Sequence, residues 1–306
     1  EKCQGDLKKC WKVVNEMRHK KMSLSFPNYI EANRQLITDR RVIVQKFNHY
    51  FVGIASNLNA NKPPSDFNDY SIFMKNRVED SMFFDEIESN EIDSIIANLN
   101  PNKSSDMSPR VLKIFRNALS PTFAVLFNNC MYAGVFPDIL KIARVIPLYK
   151  TGDRNDITNY RPISLLPVFS KIFEKLIHTR VEKFLDKNEV IYNKQFGFRK
   201  RHSTLHALNT AITQILTGLN SNHAVLGIFL DFSKAFDTVK HEILLDKLDH
   251  FGIRGCIHDL FKDYLTNRKQ LVFNGDTESD LLCVLDGVPQ GSVPVSYTHL
   301  TLPTIE

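Results

Sequence analysis

No Gly-Lys dipeptide occurs anywhere in the 306 residues. That absence removes the phosphate-cradling GxxxxGK[ST] loop, and with it the P-loop nucleotidases. Cysteine is scarce: Cys3, Cys10, Cys130, Cys256 and Cys283 are far apart and form no CxxC pair. Their spacing argues against a zinc site and against a disulfide framework, and suits reduced thiols in a nuclear or cytoplasmic chain. No apolar run approaches the roughly 18 residues of a membrane span, and no charged-then-apolar leader opens the chain. The expectation is an intracellular protein without a membrane. The chain opens on Glu1 rather than Met, which suggests a piece of a longer protein.

What is present is a 43% apolar chain, long enough for about two domains and a sizeable core. Net charge is +5, but residues 141–201 hold 14 Lys/Arg against 6 Asp/Glu. Such concentration is the footprint of a polyphosphate or nucleic-acid surface; the alternative is a solvated basic face.

Hydrophobic periodicity predicts helices over 1–22 (Leu7, Trp11, Val14, Met17) and from Thr38 or Asp39 to Leu58. A Pro/Asn/Asp linker covers 59–70. Ile92, Ile95, Ile96 and Leu99 share a helix face, Ser108-Pro109 opens another helix, and Ser120-Pro121 a further one. A strand is expected at 143–150 and a polar turn or loop at 151–162. Amphipathic helices follow at 167–187 and 203–219, with more at 240–250 and 254–266. A β-hairpin is expected around Asn274-Gly275. The fold class is α+β, since no regular βαβ alternation appears.

The stretch "AVLGIFLDFSKAFD" joins a strand-like apolar run, Val225 to Leu230, to Asp231. A carboxylate ending a buried strand needs a partner. It can cap the next helix, pair with a lysine, or hold a hard cation; "DFSKAFD" is a poor match to an aspartyl nucleophile. Mg²⁺ takes oxygen ligands, often one or two carboxylates plus substrate phosphates.

In order along the chain, "NYRPISLLPVFSKIFEKL", "NKQFGFRKRHST", "FLDFSKAFDTVKHEILLDKL" and "DGVPQGS" resemble the reverse transcriptases of non-LTR retrotransposons, especially jockey-like and CR1-like elements. The resemblance implies a right-hand polymerase fold: fingers and an incomplete palm over 81–293, a helical N-terminal extension over 1–80, and no thumb. It implies RNA-directed DNA polymerisation with two Mg²⁺ ions, on an RNA template and DNA primer with dNTP.

Residue by residue, Asp231 matches the first palm carboxylate and metal ligand, with the Phe232 carbonyl as a further ligand. Phe236 matches the ring beneath the incoming sugar; its plain alternative is core packing. Asp237 is common in that motif and reads better as a local cap or salt bridge than as a ligand. Lys150 and Arg161 match the triphosphate-binding basic positions, Gln290 and Gly291 the loop below the nascent base pair. Arg199, Lys200, Arg201, Phe196 and Phe198 match the template grip, the phenylalanines serving equally well as core.

The sequence departs from that pattern at its end. After GVPQGS it reads "VPVSYTHLTLPTIE", and no Asp-Asp dipeptide occurs in the 306 residues. Residues 294–306 therefore read as foreign or frameshifted sequence, and the polypeptide as inactive in polymerisation. In "NKSSDMSP", Ser105 and Met107-Ser108 stand where the family pattern places glycines. The competing readings are a non-catalytic RNA-binding remnant, a group II intron-type maturase reverse transcriptase, and an unrelated Mg²⁺-dependent hydrolase.

Overall fold

The computed structural model describes residues 26–32, 35–60, 74, 77–101 and 106–292. The expected helix over 1–22, most of the 59–70 linker, Ser105 and the 294–306 tail lie outside the described residues.

A short hairpin, β1 (Ile30–Ala32) and β2 (Gln35–Ile37), precedes helix α1 (Arg40–Val52). Asp39 caps α1, its carboxylate accepting from the amides of Arg41 and Val42 at 2.7 and 3.2 Å. The short helix α2 (Ile54–Ala60) follows. The next helices are α3 (Ser89–Ala97) and α4 (Pro109–Ala133). Helix α4 runs unbroken through Pro121, so no new helix starts at Ser120. Its buried residues Leu112, Ala124, Phe127 and Met131 lie on both sides of the proline, and that continuous packing outweighs the one lost backbone hydrogen bond.

Strands β3 (Ile142–Tyr149) and β4 (Tyr160–Leu165) pair antiparallel. The expected loop thus ends three residues early, at Asn159. Arg161 and Pro162 conceal the strand, yet burial alternates along it. After β4 come α5 (Val168–Lys187), α6 (Thr204–Asn220), α7 (His241–His250) and α8 (Cys256–Leu265). Then β5 (Lys269–Asn274) turns through Gly275-Asp276 into β6 (Thr277–Glu278), and β7 (Leu282–Cys283) returns to β5. The sheet order is β4-β3-β5-β6, with β3 and β5 parallel and β7 also paired to β5. The mixture of a largely antiparallel sheet and eight helices among the described residues agrees with the α+β expectation.

Two cores hold these elements. One is helical: α3, α4, α5, α7 and α8 enclose Phe127 and Phe173, stacked at 4.4 Å, and Phe136 at 5.2 Å from Phe173. The other seats α1 on the sheet through Phe47, which is fully buried and meets Tyr160 edge-on at 4.9 Å. Asn48, also buried, donates to Ser279 Oγ and the Asp280 carbonyl and accepts from Gln270 Nε2. Phe26, Ile30, Ile37 and the apolar faces of α1 and α2 thus share a core with the sheet.

The stretch Val225–Leu230 forms no strand. Residues 223–232 belong to no regular element, and Phe229 is 95% exposed. Helix α6 leaves Leu205, Leu208, Ile212, Ile215, Leu216 and Leu219 in solvent as well. The apolar pattern is the one expected; among the described residues nothing covers it.

Candidate active site

The loop Gly287–Ser292 is wedged between two other segments. On one side, the amides of Gly287 and Val288 donate to the carbonyls of Val239 and Phe236 at 2.8 and 2.9 Å. On the other, the Gln290 carbonyl accepts from the Ser164 amide of β4 at 3.0 Å. Both glycines allow this approach. Gly287 sits at φ 79°, and a Cβ there would stand 2.8 Å from the Phe236 and Asp237 carbonyl oxygens. Gly291 sits at φ 121°, and a Cβ there would stand 2.9 Å from the Ser164 carbonyl oxygen.

Gln290 Nε2 lies 3.0 and 2.9 Å from the two carboxylate oxygens of Asp237. Burial pushes the Asp237 carboxyl above its ordinary range, partly opposed by the Gln290 hydrogen bond and by the charge of Lys234. Phe236 is half-buried against the helical core and meets the exposed Phe198 edge-on at 6.2 Å. A cavity of about 40 Å³ behind the loop is lined by Ser164, Asp237, Arg268, Gln290 and their neighbours.

Lys150 and Arg161 belong to the β3–β4 hairpin. The register pairs Leu148 with Arg161, and the Lys150 amide bonds the Asn159 carbonyl at 2.8 Å. Alternation therefore puts both exposed cations on one face, one two-residue step apart. Tyr149 and Tyr160 turn the other way, into the α1 core.

The residues matched to a template grip by resemblance are only partly available. Arg199 is folded back onto the Tyr192 carbonyl and Asp186, and Lys200 pairs with Glu182 of α5 at 2.5 Å. Arg201 is exposed at φ 61°, and Phe196 lies 5.9 Å from His202. Three consecutive basic residues thus do not make one free basic cluster. The basic excess of 141–201 is similarly spent in space: Lys141 pairs with Asp138 and Asp263, Arg144 with Glu278, Arg180 with Glu91 and Lys183 with Asp85. All five of these acids come from outside the segment, so sequence charge counting overstates the surface field.

Asp231 and Phe232 are exposed on the unpaired stretch. Among the described residues no group of three His, Cys, Asp or Glu side chains could hold a metal ion. One carboxylate and a carbonyl leave a hard cation mostly hydrated. The donor set present does not fit a two-metal centre.

Residues 149–299 match the family of the reverse transcriptase (RNA-dependent DNA polymerase). This chain carries a reverse transcriptase domain. Its relatives include the RNA-directed DNA polymerase from mobile element jockey of Drosophila melanogaster, 32% identical over 214 residues, 68% of this chain and 23% of the relative. The probable RNA-directed DNA polymerase from transposon X-element of the same species is 35% identical over 176 residues, 56% of this chain and 19% of the relative. A putative 115 kDa protein in the type-1 retrotransposable element R1DM is 30% identical over 208 residues, 66% of this chain and 20% of the relative. The chain therefore spans about a quarter or less of these relatives' length. All are proteins of retrotransposable or mobile elements, in agreement with the non-LTR resemblance. Within the reverse transcriptase domain lie the GVPQGS loop, the Phe236 turn and the β3–β4 hairpin beyond Tyr149. No helix among the described residues is long and apolar enough to cross a membrane.

Sequence reasoning missed the part played by Asp237, read as a cap or salt-bridge partner, and that of Tyr50, whose hydroxyl accepts from Lys234 Nζ at 2.6 Å. Neither contact has a local signature: 53 residues separate Asp237 from Gln290, and 184 separate Tyr50 from Lys234.

Proposed function

We propose that this chain is the fingers and part of the palm of an RNA-directed DNA polymerase encoded by a non-LTR retrotransposon. Residues up to about 80 are its N-terminal extension, of which α1 packs against the sheet. In the whole polymerase, Asp231 and the Phe232 carbonyl would be two of the ligands holding paired Mg²⁺ ions, whose chemistry there would be activation of the primer hydroxyl and stabilisation of the pyrophosphate. Lys150 and Arg161 contact the triphosphate, Arg161 in the bidentate manner suited to guanidinium and Lys150 as a point charge. Phe236, Gln290 and Gly291 form the floor under the nucleotide, and Phe196, Phe198, Arg199, Lys200 and Arg201 face the RNA template. The polymerase works in the nucleus or cytoplasm.

The observation that carries this reading is the seating of the Gly287–Ser292 loop against both Phe236–Asp237 and β4. Three segments far apart in sequence, each matched independently to a nucleotide contact, converge there through backbone hydrogen bonds.

The 306 residues alone hold one carboxylate of the metal set, so we infer that they bind nucleic acid and nucleotide without turnover. The exposed apolar run 225–230 and the apolar stripe of α6 are surfaces that a strand pair carrying an Asp-Asp dipeptide would cover. Primer extension on an RNA template tests the reading. A polypeptide in which such a hairpin follows Ser292 incorporates dNTP, and Asp231→Ala in it abolishes incorporation while RNA binding persists. Incorporation that survives Asp231→Ala removes the assignment.

A further inference from the structure

We propose that Asp237 is a positioning residue whose carboxylate fixes the orientation of the Gln290 carboxamide at the floor of the nucleotide site. The inference rests on the nucleotide-site reading above for its functional meaning, and on geometry for its substance. Gln290 Nε2 stands within 3.0 Å of both Asp237 oxygens. A carboxylate only accepts, so the amide nitrogen has to face it, and the flipped amide would set two acceptors against each other. The amide orientation is thus decided by chemistry at this contact. The carbonyl oxygen is the part of Gln290 left to meet a bound nucleotide.

The surroundings make this contact stiff. Asp237 opens onto the cavity wall that also holds Arg268, 2% exposed, whose Nη2 has no partner among the described residues. Asp286 and Lys269 line the same cavity, and Lys234 is the cation acting on the carboxylate from its own turn. Lys234 is itself anchored, at φ 53°, by its bond to the Tyr50 hydroxyl. The backbone around the pair is tied independently, by Gly287 to Val239, Val288 to Phe236 and Ser164 to Gln290. A change at the Asp237 side chain can therefore release the carboxamide while the loop keeps its place.

The test is ¹H–¹⁵N spectroscopy of the full 306-residue chain. The Gln290 side-chain amide is assigned by its loss in Gln290→Ala, and binding of dTTP is measured in parallel. In the unaltered chain that amide should exchange at least tenfold more slowly than the side-chain amide of Gln195. In Asp237→Ala it should move to free-amide values, while the Gly287 and Val288 backbone amides stay protected. Asp237→Glu should restore part of the shift. The Asp237→Ala and Gln290→Ala losses in dTTP affinity should match, and the double variant should lose no more than either.

A Gln290 signal unmoved by Asp237→Ala overturns the proposal. Loss of the backbone protection together with the signal in both Asp237→Ala and Asp237→Asn also overturns it, because Asp237 is then a structural residue of the loop. If the amide signature behaves as expected but neither variant alters dTTP binding, Asp237 still positions Gln290, and it is the nucleotide-site reading that fails.

Discussion

Lys234 Nζ donates to the Tyr50 hydroxyl at 2.6 Å and lies 4.9 Å from the centre of the same ring. This one contact ties α1, in the N-terminal segment, to the turn that carries Phe236 and Asp237. Removing only the hydroxyl, in Tyr50→Phe, keeps the cation–π contact and should cost about 1 kcal/mol in urea unfolding. Tyr50→Ala removes both and should cost more, with raised exchange at the Asp237 amide, which bonds the Lys234 carbonyl at 2.9 Å. Equal stability of all three proteins would mean that the contact contributes nothing.

The loop glycines give a sharper contrast. At Gly287 and Gly291 a methyl group meets carbonyl oxygens at 2.8 and 2.9 Å in a backbone conformation that disfavours side chains. Gly287→Ala and Gly291→Ala should each cost about 2 kcal/mol or more. Gly197 has open space around its Cβ position and no positive φ. Gly197→Ala should be neutral or slightly stabilising. Thermal unfolding of the three variants separates close approach from mere sequence resemblance.

The Asp237 carboxyl is held above its ordinary value of 3.8 in the folded chain. The folded state then binds the proton more tightly than the unfolded state. The stability this contributes is complete below that ordinary value and is lost as pH rises through the raised value. Asp237→Asn removes the titration. Unfolding free energy of the unaltered chain should therefore fall relative to Asp237→Asn as pH rises above 3.8, then level off. A difference that grows instead as pH falls reverses the sign and removes the desolvation account.

Arg180 of α5 is buried and donates to the carbonyls of Asp85 and Glu86 while pairing with Glu91 at 2.8 Å. Losing Arg180 leaves the partly exposed Glu91 carboxylate and two carbonyls without their buried donor. Arg180→Ala should cost about 3 kcal/mol or more, and Arg180→Lys should recover little, since an ammonium lacks the planar fork. Chemical denaturation checks both.

How far the fold was legible follows from where its information lies. Helices such as α5, and the β5–β6 hairpin, are written in local periodicity and turn residues, and they stand close to their expected places. The local pattern assigns the first three residues of β4 to a loop, because Arg161 and Pro162 interrupt its apolar alternation, and its partner β3 supplies the ladder. The run Val225–Leu230 has every local mark of a buried strand, yet a strand needs a neighbour to take its hydrogen bonds, and none is described beside it. In the site, Phe236, Gln290 and Gly291 were legible as motif residues and do converge. The spending of Arg199 and Lys200 on α5 acids, and the Asp237–Gln290 contact, are tertiary facts without a local trace.

The central claim is that the Gly287–Ser292 loop, the Phe236 turn and the β3–β4 hairpin form one nucleotide site. Photolabelling of the chain with radiolabelled 8-azido-dATP, followed by peptide mapping, tests it most directly. Label concentrated in peptides spanning 150–161, 234–240 and 286–292, and competed away by unlabelled dATP, is the predicted result. Label that avoids those peptides, or that resists competition, would contradict it.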